Sequence, residues 1–362
     1  MKLYDPVTIG DVTLPNRVAL APMTRARSPG NKPNETNAEY YVQRSGAGLI
    51  ITEGTFTSEQ AQGWMDAPGI YTDEQVEGWK KVTAGVHDAG GIIFCQLWHT
   101  GRASDSSFRP DAKDGRGVGP SAIALKGEVH APRGKVEAEV PRELTTEEVE
   151  ALAEEFRKAA ANAKEAGFDG VELHCANGYL LNTFLDSKTN QRTDKYGGSN
   201  ENRFRVVDEA LAAIFTVFDP SAVSVRLSPN GVFNDMGCPD YREIYAYYAK
   251  RLDELKIGYL HVMTGLGFGF HEMGEPMVPA DFKKLFKNGA LIVNVGYTKD
   301  TAEQVVEDGD ADIVAIGRPF ISNPDLVERY KAGAELNPDA PVSDWYTGGL
   351  GGKGYTDFPK MS

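Results

Sequence analysis

Apolar residues in this chain come in short runs, each bounded by turn residues. The runs are NRVALAP (16–22), GLIITEG (48–54), GIIFCQLWH (91–99), DGVELH (169–174), AVSVRLS (222–228), YLHVMT (259–264), LIVNVG (291–296) and DIVAIGRP (312–319). They are rich in Val, Ile and Leu and rarely alternate with polar residues. Strands buried on both faces of a parallel sheet have that pattern. Between them lie segments with helical periodicity: 37–48, 72–91, 145–167, 200–218, 241–255, 279–289, 298–310 and 323–333. The third opens with a capping box, Thr145 to Glu148. The last has Asn323 as expected N-cap and Pro324 at the first helical position.

Eight strands alternating with about eight helices imply parallel pairing and right-handed crossovers. Eight such units close naturally into a (β/α)8 TIM barrel. An open doubly wound sheet is the alternative, but it usually carries a glycine-rich turn after its first strand, and Pro22-Met23-Thr24-Arg25 is not one. The 362 residues exceed a typical barrel of about 250. Much of the excess lies between strands three and four (100–144), an extended loop read as a lid or rim. We expect one domain spanning 1–362.

Composition narrows the function. Lys+Arg 38 against Asp+Glu 52 gives a net charge of -14, which argues against a nucleic-acid partner. Three scattered cysteines, Cys95, Cys175 and Cys238, suggest neither a disulfide framework nor a cysteine-bound metal. No apolar run approaches a membrane span, and no secretory h-region is visible. The expected setting is cytoplasmic, as a monomer or homodimer.

In a TIM barrel the chemistry lies at the C-terminal strand ends. Those ends carry Ala21, Pro22, Met23 and Thr24, then Glu53 and Gly54, then Gln96, Trp98 and His99. Next come His174 to Tyr179, Arg226, Thr264, Val295-Gly296 and Gly317-Arg318. The set is rich in hydrogen-bond donors and poor in carboxylates, and no strand holds a lysine. A Schiff-base mechanism is therefore hard to build, and metal ligands are too few. Donors in surplus suit an electron-rich cofactor and a site that stabilises negative charge. Val295-Gly296 and Gly317-Arg318 can cradle a phosphate, or be two ordinary glycine turns. His174 and Asn177 can both donate to one oxygen, with Tyr179 as a proton donor nearby. The plain alternative is a buried His and a core Tyr.

At this point the motifs carry a specific resemblance. APMTRAR (21–27), CQLWHTGR (95–102), HCANGYLLNTFL (174–185), TDKYGGSNENR (193–203), VRLSPNG (225–231), AIGRPFISNPDL (315–326) and GYTDFP (354–359) resemble the Old Yellow Enzyme family of FMN-dependent ene-reductases. The likeness spans essentially the whole chain. It is to the classical branch, which includes bacterial pentaerythritol tetranitrate and N-ethylmaleimide reductases, with Thr24 where the thermophilic-like branch usually has Cys.

The resemblance implies roles. Thr24, Gln96 and Arg226 would bind the flavin edges, and Ala21, Pro22, Met23 and Gly54 would pack against the ring. Val295, Gly296, Gly317 and Arg318 would hold the phosphate. His174 and Asn177 would grip the substrate oxygen, and Tyr179 would protonate. NADPH or NADH would reduce FMN, which then passes hydride to an activated alkene: an enone, a maleimide or a nitroalkene. Trp64, Trp98, Tyr346 and Phe268 would shape the substrate pocket. Trp64 replaces an expected Tyr. A flavin-free lyase or isomerase acting on a phosphorylated substrate is the competing enzyme, and a catalytically silent flavin protein is the competing binder. The loops 265–269 and 348–354 fail dinucleotide and P-loop spacing. Cys175 beside His174 is not read as a nucleophile, and His87, His130, His261 and His271 are not read as metal ligands.

Overall fold

The computed structural model describes residues 2–264 and 274–361. Eight parallel strands close into a barrel: β1 Val18–Leu20, β2 Leu49–Ile51, β3 Ile93–Trp98, β4 Gly170–Cys175, β5 Val223–Leu227, β6 Tyr259–Met263, β7 Ala290–Asn294 and β8 Ile313–Ile316. The ring is complete because β8 pairs with β1 (Ala315 opposite Ala19) and β3 with β4 (Gln96 opposite Glu172). All eight strands are buried along their whole length. That is why their sequences read as unbroken apolar runs. A ninth short strand, Thr55–Phe56, continues from β2 and pairs with the end of β3.

Helices cover the outside: α1 Glu35–Gln43, α2 Asp73–Asp88, α3 Thr146–Glu165, α4 Leu180–Leu185, α5 Asn200–Ile214, α6 Tyr241–Glu254, α7 Pro279–Leu285, α8 Lys299–Glu307, α9 Arg318–Ser322 and α10 Leu326–Ala332. The capping box at α3 forms as expected: Thr145 accepts from the Glu148 N–H and Glu148 accepts from the Thr145 N–H. Three differences from the sequence reading have local causes. First, α1 starts earlier, because Asn34 and Asn37 form a reciprocal cap. Second, α10 begins behind Asp325 rather than at Asn323. A residue before proline is pushed out of the helical region, so Asn323 (φ -124°) ends α9 instead. Third, α4 and α9 were not expected as helices of their own, being too short to show a period.

The barrel interior is asymmetric. Ala19, Leu49, Ile51, Ile292, Ile313 and Ala315 form its apolar half, and Ile9 and Leu14 of an N-terminal hairpin (Val7–Ile9 with Val12–Leu14) join the same cluster. At the base, a Cβ on Gly10 would lie 2.6 Å from the Ser221 side chain, just before β5, so the hairpin plugs the end away from the active face. The other half, on β3 to β6, carries Gln96, Glu172, Ser224, Arg226 and His261, all buried.

The extended loop between β3 and α3 folds a second hairpin, Glu128–Ala131 with Gly134–Glu137. It also makes a two-residue parallel pair, Val118–Gly119 with Arg142–Glu143. Among the described residues no helix is long and apolar enough to cross a membrane.

Candidate active site

A cavity of about 700 Å³ opens at the C-terminal ends of the strands. Nearly every expected site residue lines it: Ala21, Pro22, Met23, Thr24, Gly54, Gln96, Arg226, Val295, Gly296, Gly317 and Arg318, with His174, Asn177 and Tyr179, and with Trp64, Trp98 and Tyr346. Phe268, His271 and the loop 265–269 lie outside the described residues. His99 and Glu53 are at strand ends but do not line the cavity. Buried His99 turns its Nδ1 to the Gly101 N–H, and Glu53 accepts from the Arg25 N–H and the Tyr41 hydroxyl.

β4 delivers the central trio. His174 is its second-last residue, and the Ala176 N–H donates to His174 Nδ1 at 3.3 Å. The ring proton of the neutral imidazole therefore sits on Nε2, leaving that nitrogen as the donor. Burial, and then the Arg226 and His261 charges, hold the His174 pKa well below its ordinary value, so the ring is neutral. The turn that follows is tight. Asn177 has φ 59° and Gly178 φ 72°, both left-handed. Asn177 is pinned there by its N–H to Ser228 Oγ at 2.9 Å and by its C=O accepting from Asn234 at 2.8 Å. A Cβ at Gly178 would fall 2.6 Å from Asn234, so the position needs glycine on both counts.

Tyr179 N-caps α4 and packs edge-on against both His174 and Trp98, at 5.0 Å and 4.9 Å between ring centres. Burial pushes its phenol well above the ordinary value, which keeps it protonated.

The opposite flank carries the residues expected to hold a phosphate. Val295 (φ 84°) and Gly296 (φ 81°) are consecutive left-handed residues at the end of β7. A β-branched residue there is strained, by about 1–3 kcal/mol. Both residues line the cavity, and strain of that kind clusters at functional sites. Just past the end of the neighbouring β8, Arg318 lies 4.9 Å from the Trp345 ring.

Between the flanks run the polar edge residues. Arg226 donates to Asn294 Oδ1 at 2.9 Å, and Asn294 donates to the Ala315 carbonyl at 2.7 Å. Arg226 Nε is buried and has no partner among the described residues. Trp98 Nε1 and Asn177 Oδ1 are unpartnered in the same way. Natural interiors rarely leave such groups unmatched. Gly54 cannot carry a side chain, because its Cβ would meet Trp98 at 2.5 Å. The chemistry of this set suits an FMN: Ala21 to Met23 and Gly54 offer a small apolar wall for a planar ring, unpartnered polar groups could meet its edges, and an arginine beside glycine turns could take the phosphate.

Some lining residues were not foreseen. His130 comes from the inserted hairpin and stacks on Trp64 at 3.5 Å between ring centres, and Lys135 joins it on the rim. Nothing in their sequence neighbourhood pointed to Trp64. Asn294, by contrast, directly precedes Val295 and could have been read with it.

A parallel barrel with a donor-rich pocket and an anion cradle at its C-terminal ends defines a flavin-dependent oxidoreductase. The chain belongs to the NADH:flavin oxidoreductase / NADH oxidase family, whose model matches residues 2–337. Among solved structures, an old yellow enzyme homologue from Zymomonas mobilis superposes with a TM-score of 0.94 at 40% identity, covering 100% of both chains. Morphinone reductase in complex with tetrahydroNAD gives a TM-score of 0.91 at 41% identity, covering 100% of this chain and 98% of that one. The 12-oxophytodienoate reductase 7 of Oryza sativa subsp. japonica is 38% identical over 381 residues, 99% of this chain and 94% of its own. The chain is thus a flavin-dependent ene-reductase driven by a nicotinamide cofactor, and the flavin-free lyase is set aside.

Proposed function

We propose that the chain acts as one FMN-binding unit that reduces activated alkenes, namely α,β-unsaturated carbonyls, maleimides or nitroalkenes. When bound, FMN would supply the redox chemistry, the passage of hydride from NADPH or NADH to the β-carbon of the alkene. The protein contributes orientation and charge stabilisation. Thr24, Gln96 and Arg226 hold the ring edges, while Val295, Gly296, Gly317 and Arg318 hold the phosphate. The His174 Nε2–H and the Asn177 amide bind the carbonyl or nitro oxygen as negative charge develops on it. Tyr179 gives its proton to the α-carbon. Trp64, Trp98 and Tyr346 wall an apolar slot for the rest of the substrate.

The single observation that carries this reading is the His174 ring. It is neutral, with its Nδ1 occupied by the Ala176 N–H, so it presents a donor without adding a second positive charge beside Arg226. The names of the relatives, reductases of morphinone and of 12-oxophytodienoate, support the substrate class. Three buried, unpaired thiols suit a reducing compartment, and a cytoplasmic location belongs to this reading. The test is a His174→Ala, Asn177→Ala double variant assayed with 2-cyclohexenone. Turnover should fall by about 10²–10³-fold, the usual cost of removing oxyanion donors. Unchanged turnover would contradict the roles given.

A further inference from the structure

Glu172 lies in the middle of β4 and is fully buried, yet it does not line the cavity and no step above uses it. Its Oε1 accepts from Gln96 Nε2 at 2.7 Å, and its Oε2 is 2.8 Å from His261 Nδ1. His261 is on β6, and β5 separates β6 from β4, so that second bond crosses the barrel interior. Neighbouring positions in the same half remain unmatched. Arg226 is opposite His261 in the strand register, and Arg226 Nε and His261 Nε2 lack a partner among the described residues.

Burying a carboxylate is costly, and an apolar residue of similar volume is commonly as stable or more so. The other half of this barrel is filled in that apolar way. A charge kept in this half therefore calls for a role beyond packing. Two follow from its contacts. An ionised carboxylate can only accept hydrogen bonds. Gln96 must then turn its NH2 toward Glu172, which leaves the amide oxygen for the cavity side. Arg226, in addition, has no ion pair with any carboxylate among the described residues; it donates to Asn294 instead. Glu172 is one strand away, on the side of the barrel where His174 is opposite Arg226, and its negative charge offsets the field that Arg226 projects into the cavity.

We propose that Glu172 is a positioning residue for the flavin: it fixes the orientation of the Gln96 amide, and its charge lowers the reduction potential of the ring bound beside Arg226. The inference rests on the FMN reading above. Burial alone would raise the Glu172 pKa, and it lowers that of its partner His261; the hydrogen bonds from His261 and Gln96 with the Arg226 charge nevertheless hold the carboxyl below its usual value. Glu172 is therefore ionised at neutral pH, as this role requires.

The experiment compares wild type, Glu172→Gln and His261→Gln. It measures the midpoint potential of bound FMN, the FMN dissociation constant of the apoprotein, and apoprotein thermal unfolding. Glu172→Gln keeps the shape and removes the charge. It should move the midpoint potential in the positive direction and weaken FMN binding by about tenfold, the loss of one charge-assisted hydrogen bond. His261→Gln retains a donor and the Glu172 charge, so its potential should stay with wild type even where its melting temperature falls.

A folded Glu172→Gln apoprotein with an unmoved potential would overturn the inference. So would an equal shift in His261→Gln. Should Glu172→Gln fail to fold, Glu172→Asp withdraws the carboxylate but keeps its charge. Weakened FMN binding at a wild-type potential is expected there, and wild-type affinity would overturn the inference. A wild-type chain that takes up no FMN would instead overturn the reading beneath it.

Discussion

Tyr179 and His174 owe their chemistry to burial. The phenol is pushed up and stays protonated, while the imidazole is pushed down and stays neutral. In the proposed mechanism each is needed in that state, one as an acid and the other as an uncharged donor. Tyr179→Phe removes the proton but keeps the ring that packs on Trp98 and His174. Stopped-flow absorbance should find flavin reduction by NADPH or NADH near wild type, and reoxidation by 2-cyclohexenone slowed by about 10²-fold or more. Equal loss in both half-reactions would point to a packing role. His174, Asn177 and Tyr179 were legible in the sequence because one strand end holds all three within six residues. The stack of His130 on Trp64 was not, because a hairpin in the long insertion brings two remote segments together and no local period encodes that approach.

At the scale of elements, the C-terminal segment is held against the barrel by arginines of the first βα loop. Arg25 is fully buried. It donates to the carbonyls of Trp345 (2.8 Å), Asp344 (3.2 Å) and Gly354 (2.8 Å). Arg27 reaches Asp344 at 3.0 Å and Lys353 at 3.3 Å. Tyr355 stacks on Tyr40 of α1, 4.1 Å between ring centres and 8° from parallel, and Arg25 lies over both rings. This latch sets Tyr346 in the cavity wall and Trp345 beside Arg318. A lysine has one ammonium where arginine has a planar fork, so Arg25→Lys should leave carbonyls unpaired. We expect a loss of about 2–4 kcal/mol, read by denaturant unfolding, with a raised KM for the alkene as Tyr346 loosens. Unchanged stability and KM would exclude the latch. The motifs APMTRAR and GYTDFP stood out in the sequence as family signatures, but that they meet was invisible, since nothing local pairs an arginine with a carbonyl more than three hundred residues away.

For the whole molecule, the barrel was legible because every strand is buried on both faces and so appears as an apolar run. Helix starts drifted where asparagine caps or a proline reset them, and several helices end a few residues earlier than their periodic segments. The polar half of the interior was harder to read, as Glu172 and His261 are single polar letters inside apolar runs. Buried neutral imidazoles also set the acid stability of the molecule. Burial, with the Arg109 charge, lowers His99 to about 3, and His174 is lowered as well. Above about pH 6.5 both are neutral, folded or unfolded, and contribute nothing. Below it the unfolded chain binds protons that the folded chain refuses, so stability falls as pH falls toward the folded pKa values. From pH 7.5 to pH 5.0 the His99 ring should cost about 2 kcal/mol, with His174 adding to the fall in the same direction. Denaturant unfolding at the two pH values checks this, and equal stability would contradict it. Bound flavin must turn over an activated alkene, and an anaerobic visible spectrum of the purified protein tests that directly. The account predicts a flavin spectrum that bleaches on adding NADPH or NADH and returns on adding 2-cyclohexenone. A colourless protein that takes up no added FMN, or a bleached flavin that only oxygen restores, would contradict it.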